Sequence, residues 1–172
     1  MPVTLIRSKL QHPVLPGDLI PRRRLLDRLH AGASRKLTLI SAQAGAGKTT
    51  LLAQWLEEDP RPSVWLSLDE DDNDPIVFLT YLCAAIRSAF PGACDEALSL
   101  LGATTLPPAG VFVASIVNEL DQLSADPGQT GDGPSSPVKD GGRSQNGLIL
   151  ALDDYHTITE SAIQEMMAGL II

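Results

Sequence analysis

Cysteine, aromatic residues and long apolar runs are scarce in this chain, and each scarcity excludes a class of protein. Cys83 and Cys94 are its only cysteines, with no Cys-x-x-Cys pair and no neighbouring histidine. A disulfide scaffold and a zinc ribbon are thereby excluded, and reduced, buried thiols of a cytoplasmic protein are expected. Phe, Trp and Tyr make up 4% of the residues, and Trp55 and Trp65 sit inside apolar pattern, as core residues do, rather than at the spacing of a base-stacking platform. No apolar stretch approaches the roughly 20 residues of a membrane-spanning helix. Met1–Arg7 contains no apolar h-region of a secretory signal. The sequence has no Asn-Lys-x-Asp guanine-reading run and no internal repeat.

What is present is a moderately apolar chain, 44% hydrophobic over 172 residues, which suits one domain with a real core. Its charge is uneven. Residues 1–48 hold nine of the thirteen Lys and Arg against Asp18 and Asp27, a net of +7, which leaves −15 for the remainder of a chain whose net charge is −8. An acidic body is a poor non-specific partner for nucleic acid, whereas the basic arm suits phosphates, a partner protein or simply a solvated face.

The most informative stretch is Leu37–Thr50, where an apolar run enters a small-residue loop that ends in Gly-Lys-Thr-Thr and opens a helix. Leu37–Ser41 is expected as a strand. In the loop, Gly45 and Gly47 let the backbone curl so that successive N–H groups converge, and the helix N-terminus behind them favours an anion. Ala42, Gln43, Ala44, Gly45, Ala46, Gly47, Lys48, Thr49 and Thr50 are therefore the candidate phosphate-binding residues. Lys48 would reach the β- and γ-phosphates of a nucleotide and the Thr49 hydroxyl would ligate Mg²⁺. Ala42 stands where this pattern has its first glycine, which is compatible with a negative φ.

Around this loop the periodicity predicts a proline-punctuated extended arm over 1–21, a helix from Arg22 to about His30 and a helix from Thr49 to about Glu58. A strand over 63–68 leads into Asp69-Glu70-Asp71-Asp72-Asn73-Asp74. A calcium loop is not expected there, because Asp74 replaces the turn glycine and Thr80 the closing glutamate. Asp74-Pro75 reads instead as the N-cap and first residue of a helix running to about Phe90. A short helix around Asp95–Leu101 and a longer one over about 109–123 follow, then a Gly, Ser, Pro and Asp-rich stretch, 126–147, expected as a disordered linker. The run Leu148–Leu152 predicts a strand buried on both faces, ending in Asp153 and Asp154 where α/β sheets bind ligands. Asp153 is the candidate Mg²⁺ acid (Walker B) and Asp154 the candidate catalytic group that polarises an attacking water. His156 fits packing or turn chemistry better than catalysis. Residues 161–172 read as a helix or frayed tail.

These segments resemble the amino-terminal half of the nucleotide-binding domain of MalT-like, LuxR-type ATP-dependent transcriptional regulators, in the STAND class of P-loop NTPases. The resemblance is carried by Lys9-Leu10, Ile20-Pro21-Arg22, Arg24-Leu25-Leu26, Ser41–Trp55, Trp65–Asp69, Asp72–Pro75, Phe78 and Leu152–His156. It implies an α/β fold, a P-loop three-layer sandwich with a parallel sheet, truncated after the Walker B strand. Residues 1–36 would be an arm and leading helix, and 37–172 a partial P-loop domain. In that family ATP favours an open, oligomerising form and ADP a closed one, with slow hydrolysis resetting the switch; the segment around Arg22 lies near the adenine. The sensor and DNA-binding parts would lie outside these residues, so direct DNA binding is not expected, nor is a membrane partner. In the related P-loop class a later strand lies between the cradle strand and the Walker B strand. Either 37–41 and 148–152 pair directly here, or a gap remains whose exposed edge invites self-association or a protein partner.

The resulting expectation is an ATP- and Mg²⁺-binding regulatory domain of the cytoplasm, at most a slow ATPase. The alternatives are a stand-alone ATPase or small-molecule kinase, for which only Asp154 offers a base, and a non-functional gene remnant or partner-binding fragment.

Overall fold

The computed structural model describes residues 4–103, 105, 107–125 and 147–171, with backbone alone at 123–125. The stretch expected as a linker lies outside the described residues except for Gly147. In chain order the regular elements are α1 (Arg23–Ala31), α2 (Lys48–Glu58), β1 (Ser63–Ser67), α3 (Pro75–Ala89), α4 (Asp95–Leu101), α5 (Ala109–Ala125), β2 (Ile149–Asp153) and α6 (Ser161–Ile171). Single 3₁₀ turns lie at Arg7–Leu10, Glu70–Asn73 and Tyr155–Thr157.

β1 and β2 form a two-stranded parallel sheet in which Ser63 pairs with Ile149 and Ser67 with Asp153. Strand alternation sends side chains to both faces. Val64, Leu66 and Leu68 join Phe78, Leu82 and Ile86 of α3, Phe112 and Ile116 of α5, and Ile163 and Met166 of α6 in one cluster. Trp65 and Ala151 face the other way, into Leu26 and Leu29 of α1 and Leu51, Trp55 and Leu56 of α2. The result is a mixed helix-and-strand chain with an apolar cluster on each face of its small sheet, β1 lying deeper than β2. α3 starts where its sequence says it must: the Asp74 side chain accepts the N–H groups of Ile76 at 2.8 Å and Val77 at 3.2 Å, with Pro75 in the first turn.

Two expectations are corrected. Leu37–Ser41 is not a strand; Leu37 is 58% and Leu39 82% exposed. An apolar run becomes a strand only against a partner edge, and among the described residues β2 is bonded to β1 alone. Direct pairing of 37–41 with 148–152 is thus not found. For the same reason β2 is not buried on both faces: only Ala151 is buried and the rest of the strand is half-buried. Both tryptophans are core residues, at 5% and 1% exposure.

The arm is anchored rather than loose. Its 3₁₀ turn places Lys9 Nζ 2.8 Å from the Asp69 carboxylate and 2.7 Å from that of fully buried Asp72. The Ile6 N–H donates to Tyr81 Oη at 3.0 Å, and the Lys9 ammonium stands 4.9 Å from the Tyr81 ring centroid.

Candidate functional site

The loop ahead of α2 curls as its glycines allow, with φ of 75° at Gly45 and 77° at Gly47, both left-handed values that disfavour any side chain. A Cβ at Gly47 would also meet the Arg22 guanidinium at 3.3 Å, because Arg22 Nη1 donates to the Ala46 carbonyl at 2.7 Å. The remainder of the loop is sparsely bonded. Ala46 N–H donates to the Gln43 carbonyl at 3.2 Å, and Lys48 Nζ folds back onto the carbonyls of Ala42 and Gln43 at 3.2 and 3.3 Å. Ser41 to Gly45 are exposed, and Gly47 caps α2, whose first helical residues are Lys48, Thr49 and Thr50.

Across the sheet end, Thr49 Oγ1 donates to Asp153 Oδ2 at 2.9 Å and lies 3.2 Å from Oδ1. These residues are 104 positions apart in sequence. They meet because β2 carries Asp153 to its carboxyl end beside α2. Asp154, next along, is exposed and holds φ at 55°, 3.6 Å from Nδ1 of His156. That turn directs Asp154 out of the strand, so no short hydrogen bond joins it to Lys48 or Thr49 among the described contacts.

Two cavities open at the loop and the start of α2. One of about 500 Å³ is lined by Pro16, Ile20 and Arg22 of the arm with Gly47, Thr50 and Gln54 of the loop and α2. The other, about 280 Å³, has Thr49, Ser67 and Asp153 on one side and Ser8, Gln11 and His12 on the other. His12 stacks at a tilt on Trp65, with ring centroids 5.4 Å apart. Ser8, Gln11 and His12 were not singled out by sequence, since no motif spacing links them to Thr49; only the docked arm brings them there.

The electrostatics concentrate beside this site, in the arm and the acidic turn. Burial works against the charge of Lys9, but its hydrogen bonds to Asp69 and Asp72 outweigh that and hold its ammonium above the ordinary lysine value. The Lys9 hydrogen bond in turn holds Asp69 below the ordinary carboxylate range. Thr49 and Asp153 supply one hydroxyl and one carboxylate, hard oxygen donors that suit Mg²⁺, an ion that takes few protein ligands and keeps several waters. No cluster of three or more His, Cys, Asp or Glu is placed to hold a metal among the described residues.

The class of arrangement is therefore a lysine- and threonine-bearing loop at a helix start, facing a strand-end carboxylate in a chain of mixed helices and parallel strands. No protein-family model matches the chain. It is 39% identical over 163 residues, 95% of its length, to the HTH-type transcriptional regulator MalT of Yersinia enterocolitica. It is 38% identical over the same span to MalT of Yersinia pestis and of Yersinia pseudotuberculosis. The chain is MalT-like over nearly its whole length, and it spans 16% of the length of these relatives.

Proposed function

We propose that this chain is an ATP- and Mg²⁺-binding regulatory domain related to MalT, with little or no turnover of its own. In this reading 37–172 form part of a P-loop sandwich and 1–36 an arm and helix that close one side of the nucleotide site. The observation that carries it is the Thr49–Asp153 hydrogen bond at 2.9 Å, which joins a Lys-Thr helix start to a strand-end carboxylate. In nucleotide-binding loops of this sequence type, those two groups share the metal.

The roles follow from position. Backbone N–H groups over 42–50 and the Lys48 ammonium would hold the phosphates, at the positive end of α2. Thr49 and Asp153 would hold Mg²⁺, which supplies charge neutralisation between phosphate oxygens when bound. The cavity lined by Ile20, Arg22, Gly47 and Thr50 would take the nucleobase and ribose. Asp154 would orient a water. Phosphoryl transfer also needs charge stabilisation around the terminal phosphate, and the reading therefore stops at a slow ATPase. A regulator of this kind works in the cytoplasm. No described helix is long and apolar enough to cross a membrane.

A second reading, capture of a partner chain or a second copy, is favoured by the exposed Leu37 and Leu39 and by an edge of β2 that is unpaired among the described residues. Titration with a fluorescent ATP analogue tests the first. Lys48→Ala is expected to abolish binding while the circular dichroism spectrum stays unchanged, and wild-type affinity in that variant refutes the phosphate site.

A further inference from the structure

We infer that Asn73 is the positioning residue of the Asp153–Asp154 turn, acting from the acidic loop that follows β1; the inference rests on the nucleotide reading above. The Asn73 amide uses its full hydrogen-bonding capacity. Its Nδ2 donates to the carbonyls of Glu70 at 3.1 Å and Thr157 at 2.9 Å. Its Oδ1 accepts the N–H groups of Thr159 at 2.7 Å and Glu160 at 3.0 Å, with the Thr159 hydroxyl at 3.2 Å. An amide has two donors and one oxygen with two lone pairs, so nothing is left over for another role. Except for the bond to Glu70, all of this is spent on a segment more than 80 positions away.

That segment directly follows the candidate carboxylates, Asp153 and Asp154. Asp154 stands at φ 55° with its carbonyl accepting the Thr157 N–H and hydroxyl, both at 3.0 Å. That region is sparsely populated by non-glycine residues, although aspartate enters it more readily than most, and surrounding bonds fix it there. Two ties do so, one on each side. The Leu68 N–H donates to the Asp153 carbonyl at 3.1 Å, and Asn73 grips Thr157, Thr159 and Glu160. Leu68 and Asn73 leave the end of β1 only a few residues apart, so one short stretch of chain brackets the whole turn. The stretch is itself rigid: Asp69 and Asp72 form a reciprocal capping box and Asp72 is locked by Lys9. Releasing Asn73 would let the turn relax and carry the Asp153 carboxylate off Thr49.

Asn73 also satisfies N–H groups just ahead of α6, which a purely structural helix cap would do. Two readouts on the intact chain separate the roles: amide hydrogen exchange at Leu68, Thr159 and Glu160, and affinity for a fluorescent ATP analogue with and without Mg²⁺. In Asn73→Ala, exchange is expected to quicken at all three amides, Leu68 included. Affinity without Mg²⁺ should hold while the Mg²⁺-dependent gain falls by about tenfold, as for loss of a group orienting a metal ligand. Asn73→Asp keeps the acceptor and loses both donors, so it should fall between wild type and alanine; it also carries both readouts if the alanine variant does not fold. Faster exchange confined to Thr159 and Glu160, or an unaltered Mg²⁺ gain, overturns the inference. If wild type shows no Mg²⁺-dependent gain, the nucleotide reading fails, and exchange at Leu68 alone then decides the role of Asn73.

Discussion

The loop over 41–47 and the turn over 69–74 both leave the core near the same end of the sheet, yet they are built in opposite ways. The acidic turn is densely bonded: a capping box, a buried carboxylate gripped by Lys9 through Oδ2 and an asparagine with every bond used. The glycine loop is exposed over Ser41–Gly45 and joined to its surroundings chiefly through Arg22 on Ala46 and Lys48 on its own carbonyls. A ligand loop must exchange partners when its ligand arrives, so it belongs among the less bonded parts of a fold. A frame that aims a carboxylate must not move. On the proposed nucleotide reading, bonding density separates the part that would adapt from the part that would aim.

The contrast is broken most severely by Lys9→Ala. Asp72 is fully buried with no partner for Oδ1 among the described residues, and without Lys9 its carboxylate keeps only the Asp69 N–H. Urea denaturation should show a loss of about 3 kcal/mol, the scale for stranding one member of a buried pair; a change no larger than a surface substitution would mean that the turn is not the rigid partner. A smaller effect is expected from Asp69→Asn, and its pH dependence is the informative part. Because Lys9 depresses the Asp69 pKa, the contribution is present above the unfolded-state value and disappears as pH falls through the lower folded-state value. Wild type should thus be the more stable at neutral pH, and the two melting curves should converge on acidification below the ordinary carboxylate range. The smallest effect belongs to the glycine-loop side. Leu39→Asp should change stability by no more than about 0.5 kcal/mol, as for an exposed position; a loss of several times that would show Leu39 packed in a sheet.

Much of the local structure could be read from residues alone. Asp74-Pro75 announces the start of α3 because an N-cap carboxylate and an N1 proline are local devices, needing nothing beyond the next three residues. The 3.6-residue spacing of Leu25, Leu26 and Leu29 marks α1, and the helix expected to about residue 123 runs to Ala125. Leu37–Ser41 misled because its composition is that of a strand while its pairing depends on a distant edge. The same holds for the candidate site. Gly45, Gly47, Lys48 and Thr49 are legible as a glycine loop that opens a helix, but Gln11 and His12 in one cavity with Asp153, or Asn73 on Thr159, carry no signal in any window of sequence.

The residue pattern by itself determined the helices, the left-handed glycines and the chemical types offered at the loop and the strand end, because capping, φ preference and amphipathic spacing act within a few residues. Only the tertiary structure decided that Thr49 meets Asp153, that the arm docks through Lys9, and that 37–41 stays outside the sheet. Those outcomes depend on which surfaces are buried against each other across up to a hundred residues, and hydrogen bonds between such distant groups form only once the core has brought them together.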